Sequence, residues 1–129
     1  MAVLSHIRLE LARTSDFPQG SAKHGYEFVA PLNAEGHVDA DAWRHVKEKC
    51  GVRRFWGDEP VQRGLLHHLG HGWRFEYGGH SEADEPFFKL DAHVFRPGQY
   101  VSIREHDGVL RPFRVVDVTP VDNGKSCAA

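Results

Sequence analysis

Histidine is the residue type with the clearest potential for metal chemistry in this chain, which contains ten of them, and the densest group is His67, His68 and His71. Neutral imidazole is the commonest protein ligand for transition metals. On a strand, residues four positions apart share a face, so His67 and His71 could bind zinc or nickel together. Structural zinc sites usually include thiolates, and the sequence has no Cys-x-x-Cys motif. The alternative is that these histidines lie at or near the surface and bind no metal.

The C-terminal part of the chain predicts a hairpin that would bring two arginines together. The dipeptide Asp107-Gly108 suits a two-residue type I′ turn between strands over residues 100–105 and 109–118. In that register Arg104 lies directly opposite Arg111. Like charges across a strand pair repel each other, so an acidic side chain or an anionic ligand should offset them.

Two aromatic side chains complete this candidate ligand site. Tyr100 and Phe113 would lie on the same face as the arginines, so the predicted ligand-binding residues are Tyr100, Arg104, Arg111 and Phe113. Guanidinium groups are well shaped for two-point contacts with a carboxylate or a phosphate. The alternative is a solvated arginine pair held by acidic neighbours such as Asp117.

Arginines also alternate with aromatic residues in two segments, 53–56 (RRFW) and 73–75 (WRF). Such segments can stack nucleic-acid bases while the arginines contact phosphates. Strand alternation is a simpler explanation, with the rings in the core and the arginines paired to acids. A formal net charge of −2 also provides no basic field to attract a polyanion. We therefore expect no nucleic-acid partner.

The sequence contains no recognisable catalytic constellation. Serine, histidine and aspartate all occur, but a Gly-x-Ser-x-Gly motif and a glycine-rich phosphate loop are both absent. Asp39 and Asp41 are better explained as residues at the start of a helix than as an acid–base pair. We therefore expect a non-catalytic binding or interaction domain whose partner is a small anionic ligand or a protein. A histidine-based metal-binding protein is the alternative, and the sequence leaves the oligomeric state open.

A single α-helix is predicted over residues 40–50. Asp39 suits its N-cap because an aspartate carboxylate accepts hydrogen bonds from the N–H groups of the first turn. Val38 and Trp43 have the spacing of a hydrophobic staple around that cap. Gly51 is expected to end the helix in the left-handed conformation.

Most of the remaining chain predicts short strands separated by turns. Alternating apolar residues indicate a first strand over residues 6–13, and a second strand over 25–30 should end at Pro31, which has no N–H for a ladder. Further strands are predicted over 52–56 and 72–77. The predicted fold class is therefore mainly β, a β-rich α+β domain built as a small antiparallel barrel or sheet with one α-helix.

Composition indicates one folded domain. The chain is 40% hydrophobic and 26% charged, which is typical of globular proteins. We expect a single domain over residues 1–122 and a disordered tail over 123–129. The two cysteines are expected to be free thiols, and the first residues are not expected to act as a signal peptide. No run approaches the ~20 apolar residues of a membrane span. A cytoplasmic protein without a membrane partner is the expectation.

Residues 95–103 (FRPGQYVSI) and 111–113 (RPF) resemble a short piece of the flavin-binding barrel of the ferredoxin reductase family. In that family a Pro-Gly-Gln strand leads to an Arg-x-Tyr-Ser/Thr motif that holds the flavin phosphate, so the resemblance implies a flavin-binding, reductase-like domain. Phe113 and Arg114 stand here in place of the tyrosine and the hydroxyl residue. The match covers under a fifth of the chain, and these departures argue against a flavin. We therefore expect no resident cofactor.

A broader set of segments is similar to a group of small bacterial proteins of unknown function. The segments are residues 26–32 (YEFVAPL), the helix around Trp43, residues 52–56 (VRRFW) and the hairpin around Pro97. This resemblance spans most of the chain and carries no activity with it.

Overall fold

The computed structural model describes residues 2–69, 72–77, 85–87, 94–104 and 109–121. At 68, 69, 72–77, 85–87 and 104 the description is confined to the backbone. The predicted tail over 123–129 lies outside these ranges and stays a prediction.

Strands make up most of the described chain. The elements are β1 (Val3–Leu11), β2 (Ser21–Leu32), α1 (Ala40–Val46), β3 (Gly51–Trp56), β4 (Glu59–Leu69), β5 (Gly72–Tyr77), β6 (Glu85–Phe87), β7 (Tyr100–Arg104) and β8 (Leu110–Pro120). Every strand pair is antiparallel. The predicted mainly β fold class, with a single α-helix among the described residues, is confirmed.

The strands follow chain order around one curled sheet, and this order is that of a barrel. Its continuous wall runs from β7 through β8, β1, β2, β3 and β4 to β5. Among the described residues, β6 is the shortest strand, with three residues, and one pair, Phe87 and Ile103, joins it to β7. The sheet is therefore nearly open between β6 and β7.

Alternation along the strands separates a core face from an outer face. In β1 three buried apolar residues alternate with Arg8 and Glu10, which lie on the outer face. The core is rich in aromatic rings, and edge-to-face contacts join them in pairs. The largest fully buried side chains are Tyr26, Phe28, Phe95, Phe113, Ile7, Leu9, Leu66 and Ile103.

The start of α1 agrees with the sequence. Asp39 is the N-cap, and its Oδ1 accepts a hydrogen bond from the N–H of Ala42 at 3.0 Å. Trp43 is buried on the core side, where its indole Nε1 donates to the carbonyl oxygen of Leu66 in β4 at 3.2 Å. The helix therefore packs against the sheet through the apolar residue that the staple pattern identified.

The helix ends at Val46 rather than at residue 50. One turn of 3₁₀ helix, Lys47–Lys49, follows it, and the N–H of Cys50 donates to the carbonyl of Lys47 at 3.2 Å. Gly51 then begins β3 without a positive φ. The predicted left-handed conformation of Gly51 at the helix end is wrong. The 3₁₀ turn already satisfies a carbonyl group at this end of the helix and leads the chain directly into β3.

β2 continues through Pro31 to Leu32, so the predicted strand end at Pro31 is also wrong. Pro31 pairs with Leu4 of β1, whereas the ladder between β2 and β3 has already ended at Phe28. The proline therefore interrupts no ladder bond to β3, which is the position in a sheet where proline is tolerated. Its carbonyl oxygen accepts a hydrogen bond from the N–H of Asp39 at 2.9 Å.

Candidate functional site

The register of the last hairpin differs from the predicted register by one residue. Arg104 pairs with Leu110, and Arg111 pairs with Ile103. Because cross-strand partners share a face and neighbours along a strand alternate, the two arginine positions lie on opposite faces of the sheet. The predicted pairing of Arg104 with Arg111 is therefore wrong. It needed a loop of two or four residues, whereas five, 105–109, separate the last pair.

Arg111 and Phe113 belong to the core face. Phe113 is fully buried and packs edge-to-face on Tyr26, with 5.2 Å between the ring centroids. The Arg111 guanidinium carbon lies 5.7 Å from the ring centroid of Trp56, and that of Arg54 lies 4.4 Å from the same ring. Arg54 is 6% exposed. These residues cover one end of the core and hold Trp56 in place through cation–π contacts.

Tyr100 lies on the outer face, where it is 60% exposed and pairs with Arg114 of β8. It lines a cavity of about 500 Å³ between the end of β1, the loop from β1 to β2 and the outer face of β7 and β8. We call this cavity the Arg114 cleft; its polar lining residues include Glu10, Arg13, Gln19, Ser21, Tyr100 and Arg114. The structure therefore divides the four predicted ligand-binding residues between two faces.

The loop between β1 and β2 forms one wall of the Arg114 cleft, and local hydrogen bonds hold it. Thr14 and Phe17 bond reciprocally, since the N–H of Thr14 donates to the carbonyl of Phe17 and the N–H of Phe17 donates to Thr14 Oγ1. Gly20 has a φ of 74°, and a Cβ there would lie 2.7 Å from the carbonyl oxygen of Leu11. Only glycine fits this close approach without strain.

A tight turn positions Tyr100 on the other wall. Pro97 and Gly98 occupy the middle of the turn, and the N–H of Gln99 donates to the carbonyl of Arg96 at 3.0 Å. Gly98 has a φ of 95°, which fits the third position of a type II turn after proline. The Pro-Gly-Gln motif noticed in the sequence therefore serves to start β7 at Tyr100.

The charges in the Arg114 cleft are unbalanced. Neither Arg13 nor Arg114 forms an ion pair with a carboxylate in the described part of the chain. Glu10 also lines the cleft, but its Oε2 accepts a hydrogen bond from Arg8 Nε at 2.9 Å. Two guanidinium groups whose donors no described carboxylate occupies therefore border one concavity together with Tyr100. Groups of this kind bind anions.

A second group of arginines on the outer face is neutralised by carboxylates. Arg8 Nη1 donates to Glu27 Oε2 at 2.8 Å, and Arg53 Nη2 donates to Glu27 Oε1 at 2.6 Å. Both guanidinium carbons lie over the Phe55 ring, 4.5 and 5.3 Å from its centroid. We call Arg8, Glu10, Glu27, Arg53 and Phe55 the Glu27 cluster. Burial raises the pKa of Glu27, but hydrogen bonds from Arg53 and Arg8 outweigh burial and hold it below its usual value.

His24 lies beside the Arg114 cleft and forms a hydrogen bond with Ser21, whose hydroxyl group lines the cleft. The Ser21 hydroxyl lies 2.6 Å from His24 Nδ1 and accepts a hydrogen bond from the N–H of Lys23 at 3.2 Å. Burial and the Arg54 guanidinium lower the pKa of His24, while Glu59 opposes them. A neutral imidazole can accept a hydrogen bond from the serine hydroxyl, so the Ser21 hydroxyl both donates and accepts within the protein and contributes little to a ligand.

The predicted metal ligands are only partly described. His67 lies half-buried on β4, with its ring centroid 6.1 Å from that of Trp43. His71 lies outside the described residues. Within the ranges that the structure covers, no group of three or more His, Cys, Asp or Glu side chains could hold a metal ion. Zinc or nickel binding by His67 and His71 therefore stays a prediction.

Cys50 is a free, fully buried thiol, as the sequence suggested. Burial, assisted by the Glu48 carboxylate, raises the pKa of Cys50 to about 12. The thiol is therefore protonated at neutral pH and a poor nucleophile. Cys127 lies outside the described residues.

Sequence reasoning identified Tyr100 but missed Arg13 and Arg114. The two arginines come together because β1 pairs with β8, strands from opposite ends of the chain. The resemblance to the flavin-binding barrel drew attention to Arg114 only as a departure from a motif. Nothing local in the sequence connects Arg13 with Arg114.

Comparisons with protein-family models, with curated proteins and with solved structures find no match to this chain. The resemblances to the flavin-binding barrel and to small bacterial proteins therefore stay predictions. Among the described residues, no helix has the length and apolar character needed to cross a membrane.

Proposed function

We propose that this chain is a non-catalytic binding domain for a small anionic ligand, and that the ligand binds in the Arg114 cleft. The observation that supports the proposal is the position of Arg13 and Arg114 at one cavity of about 500 Å³, with no ion pair to either arginine among the described residues. A volume of this size suits a small molecule.

The chemistry of the lining favours an oxyanion. Guanidinium groups donate two parallel hydrogen bonds to carboxylate or phosphate oxygens, and these bonds are stronger than neutral ones. The exposed ring and hydroxyl of Tyr100 can add an apolar surface and a further hydrogen bond. Two cations at one concave surface also raise the local concentration of anions.

The test measures the free energy of unfolding in urea with and without sodium phosphate, with sodium chloride used to equalise ionic strength. Phosphate at ten times its Kd should stabilise the wild type by about 1.4 kcal/mol, because it binds only the native state. Arg114→Gln and Arg13→Gln should lose most of this gain.

The matched control is Arg44→Gln, which removes the same charge from an exposed helix residue that pairs with Asp41. It should respond to phosphate as the wild type does. Phosphate also stabilises proteins generally by exclusion from their surface. Equal gains in all four proteins would therefore reveal only that general effect and would overturn the proposal.

A further inference from the structure

A second and larger concavity, of about 690 Å³, crosses the outer face of the sheet away from the Arg114 cleft. Five adjacent strands, from β8 to β4, line it, and the lining residues include Glu27, Val29, Gly51, Arg53 and Arg63. Adjacent strands lie about 4.8 Å apart, so the groove extends over roughly 19 Å. We call it the Arg63 groove.

The Arg63 groove is open over Gly51, because this position on the outer face of β3 has no side chain to fill the space. Gly51 pairs with Leu65 of β4, whereas Gly64 pairs with the core residue Val52 and therefore belongs to the core face. Among the described residues, the one atom within 4 Å of a Cβ on Gly51, apart from its chain neighbours, would be the carbonyl oxygen of Gly64, at 3.8 Å. Apolar atoms form the larger part of the groove lining, and Val29 contributes an apolar side chain from the outer face of β2, so the floor of the groove is apolar.

One end of the groove carries an excess of positive charge. Arg53 and Arg63 lie directly opposite each other in the β3–β4 ladder, where like charges repel. Glu27 neutralises Arg53 through two hydrogen bonds, of 3.0 and 2.6 Å. Arg63 is exposed and forms no ion pair among the described residues. A cation without a carboxylate therefore lies beside an apolar floor.

We propose that the Arg63 groove binds an aliphatic monocarboxylate, with the carboxylate on Arg63 and the hydrocarbon tail along the floor over Gly51 and Val29. The apolar floor distinguishes this ligand from the small oxyanion of the Arg114 cleft, which has a mainly polar lining. An eight-carbon chain extends at most about 10 Å, at ~1.5 Å per bond, and fits within the groove. This inference is independent of the function proposed for the cleft.

The test uses isothermal titration calorimetry with butyrate, hexanoate and octanoate below their micellar concentrations. Each methylene that the groove covers should tighten binding by up to about fourfold. Octanoate should bind about tenfold more weakly to Arg63→Gln, because the variant lacks the charged hydrogen-bond donor. The neutral probe 1-octanol should also bind more weakly than octanoate to the wild type.

A steric variant separates the groove from a general charge effect. Gly51→Val adds branched carbon atoms where a Cβ has room, and valine is favoured in strands, so the variant should fold normally and lose octanoate binding. Arg44→Gln, which removes a charge outside both the groove and the Arg114 cleft, should bind octanoate as the wild type does.

Two results would overturn the inference. One is an affinity that does not increase from butyrate to octanoate, because the floor would then contribute nothing. The other is octanoate binding that Arg63→Gln and Gly51→Val leave unchanged. Neither result concerns phosphate binding in the Arg114 cleft, which is tested with a different probe and different variants.

Discussion

The Glu27 cluster and the Arg114 cleft place the same residue type on the same outer face with opposite electrostatic results. In the cluster, Arg8 and Arg53 share the two oxygens of Glu27 and stack on Phe55. In the cleft, Arg13 and Arg114 have no ion pair among the described residues. The arginines of the two regions are alike, and the regions differ because the cluster contains the partly buried carboxylate of Glu27.

This difference assigns the two regions different roles. Arginines that are saturated by protein carboxylates stabilise the fold and have few donors left for a ligand. Arginines at a cavity without such partners contribute little to stability and keep their donors for an incoming anion. The comparison therefore predicts that stability depends on the cluster and anion binding depends on the cleft.

The largest expected effect is on stability, from Glu27→Gln. The change removes the charge that two arginines share while the side chains at this site stay between 20 and 34% exposed. We expect the free energy of unfolding to fall by about 2 kcal/mol, because two guanidinium groups lose their charged acceptor. Urea denaturation measures the change.

Asp41→Asn is the matched control for that loss. Asp41 pairs with Arg44 at 2.6 Å, but the two side chains are 87 and 62% exposed. Exposed pairs contribute between about 0 and 1 kcal/mol. If Asp41→Asn costs as much as Glu27→Gln, the cluster has no special role and the comparison fails.

Acid should remove the same stabilisation gradually. The pKa of Glu27 in the fold is below the ordinary value of 4.5, because the arginine hydrogen bonds outweigh burial. A carboxyl with a lowered folded pKa stabilises the fold above the unfolded pKa, and this contribution is lost as the pH falls through the folded pKa. Stabilities of the wild type and Glu27→Gln, measured from pH 7 downward, should therefore converge below pH 4.5. A constant difference would show that the charge of Glu27 is not the cause.

Much of this fold could be predicted from the sequence, because alternation and capping are local signals. Residues 72–77 were predicted as a strand with its observed bounds, and the N-cap at Asp39 is confirmed by its hydrogen bond. The errors arose where contacts with other parts of the chain determine the local structure. Pro31 is tolerated because β3 no longer pairs there, and the sequence alone does not reveal where that ladder ends.

The candidate site was less predictable, because it depends on register and on long-range pairing. The turn chemistry of Asp107-Gly108 suggested an even loop, and a shift of one residue moved Arg111 to the core face. Arg13 and Arg114 come from opposite ends of the chain and meet through β1 and β8. A period of two residues identifies faces but not which strands become neighbours.

A smaller effect on stability is expected from Arg53→Gln. The variant leaves Glu27 with Arg8 alone, so the free energy of unfolding should fall by about 1 kcal/mol. Arg114→Gln makes the same chemical change on the same outer face and should alter stability by at most about 0.5 kcal/mol without an anion present. Urea denaturation in low-phosphate buffer compares them. Equal losses would contradict the separation between cluster and cleft.

The smallest expected effect on stability comes from Gln19→Glu, which adds to the Arg114 cleft a carboxylate that is not already paired with Arg8, as that of Glu10 is. Gln19 is exposed and lines the cleft with Arg13 and Arg114. A new surface ion pair should raise the free energy of unfolding by roughly 0.2–1 kcal/mol. The same carboxylate should compete with the ligand, so the stabilisation by phosphate should disappear.

Gln99→Glu adds the same charge to an exposed residue outside the cleft lining, and it should keep most of the phosphate response. If phosphate stabilises both glutamate variants as much as the wild type, the phosphate site lies outside the Arg114 cleft. The Glu27 cluster and the Arg114 cleft would then not differ in anion binding.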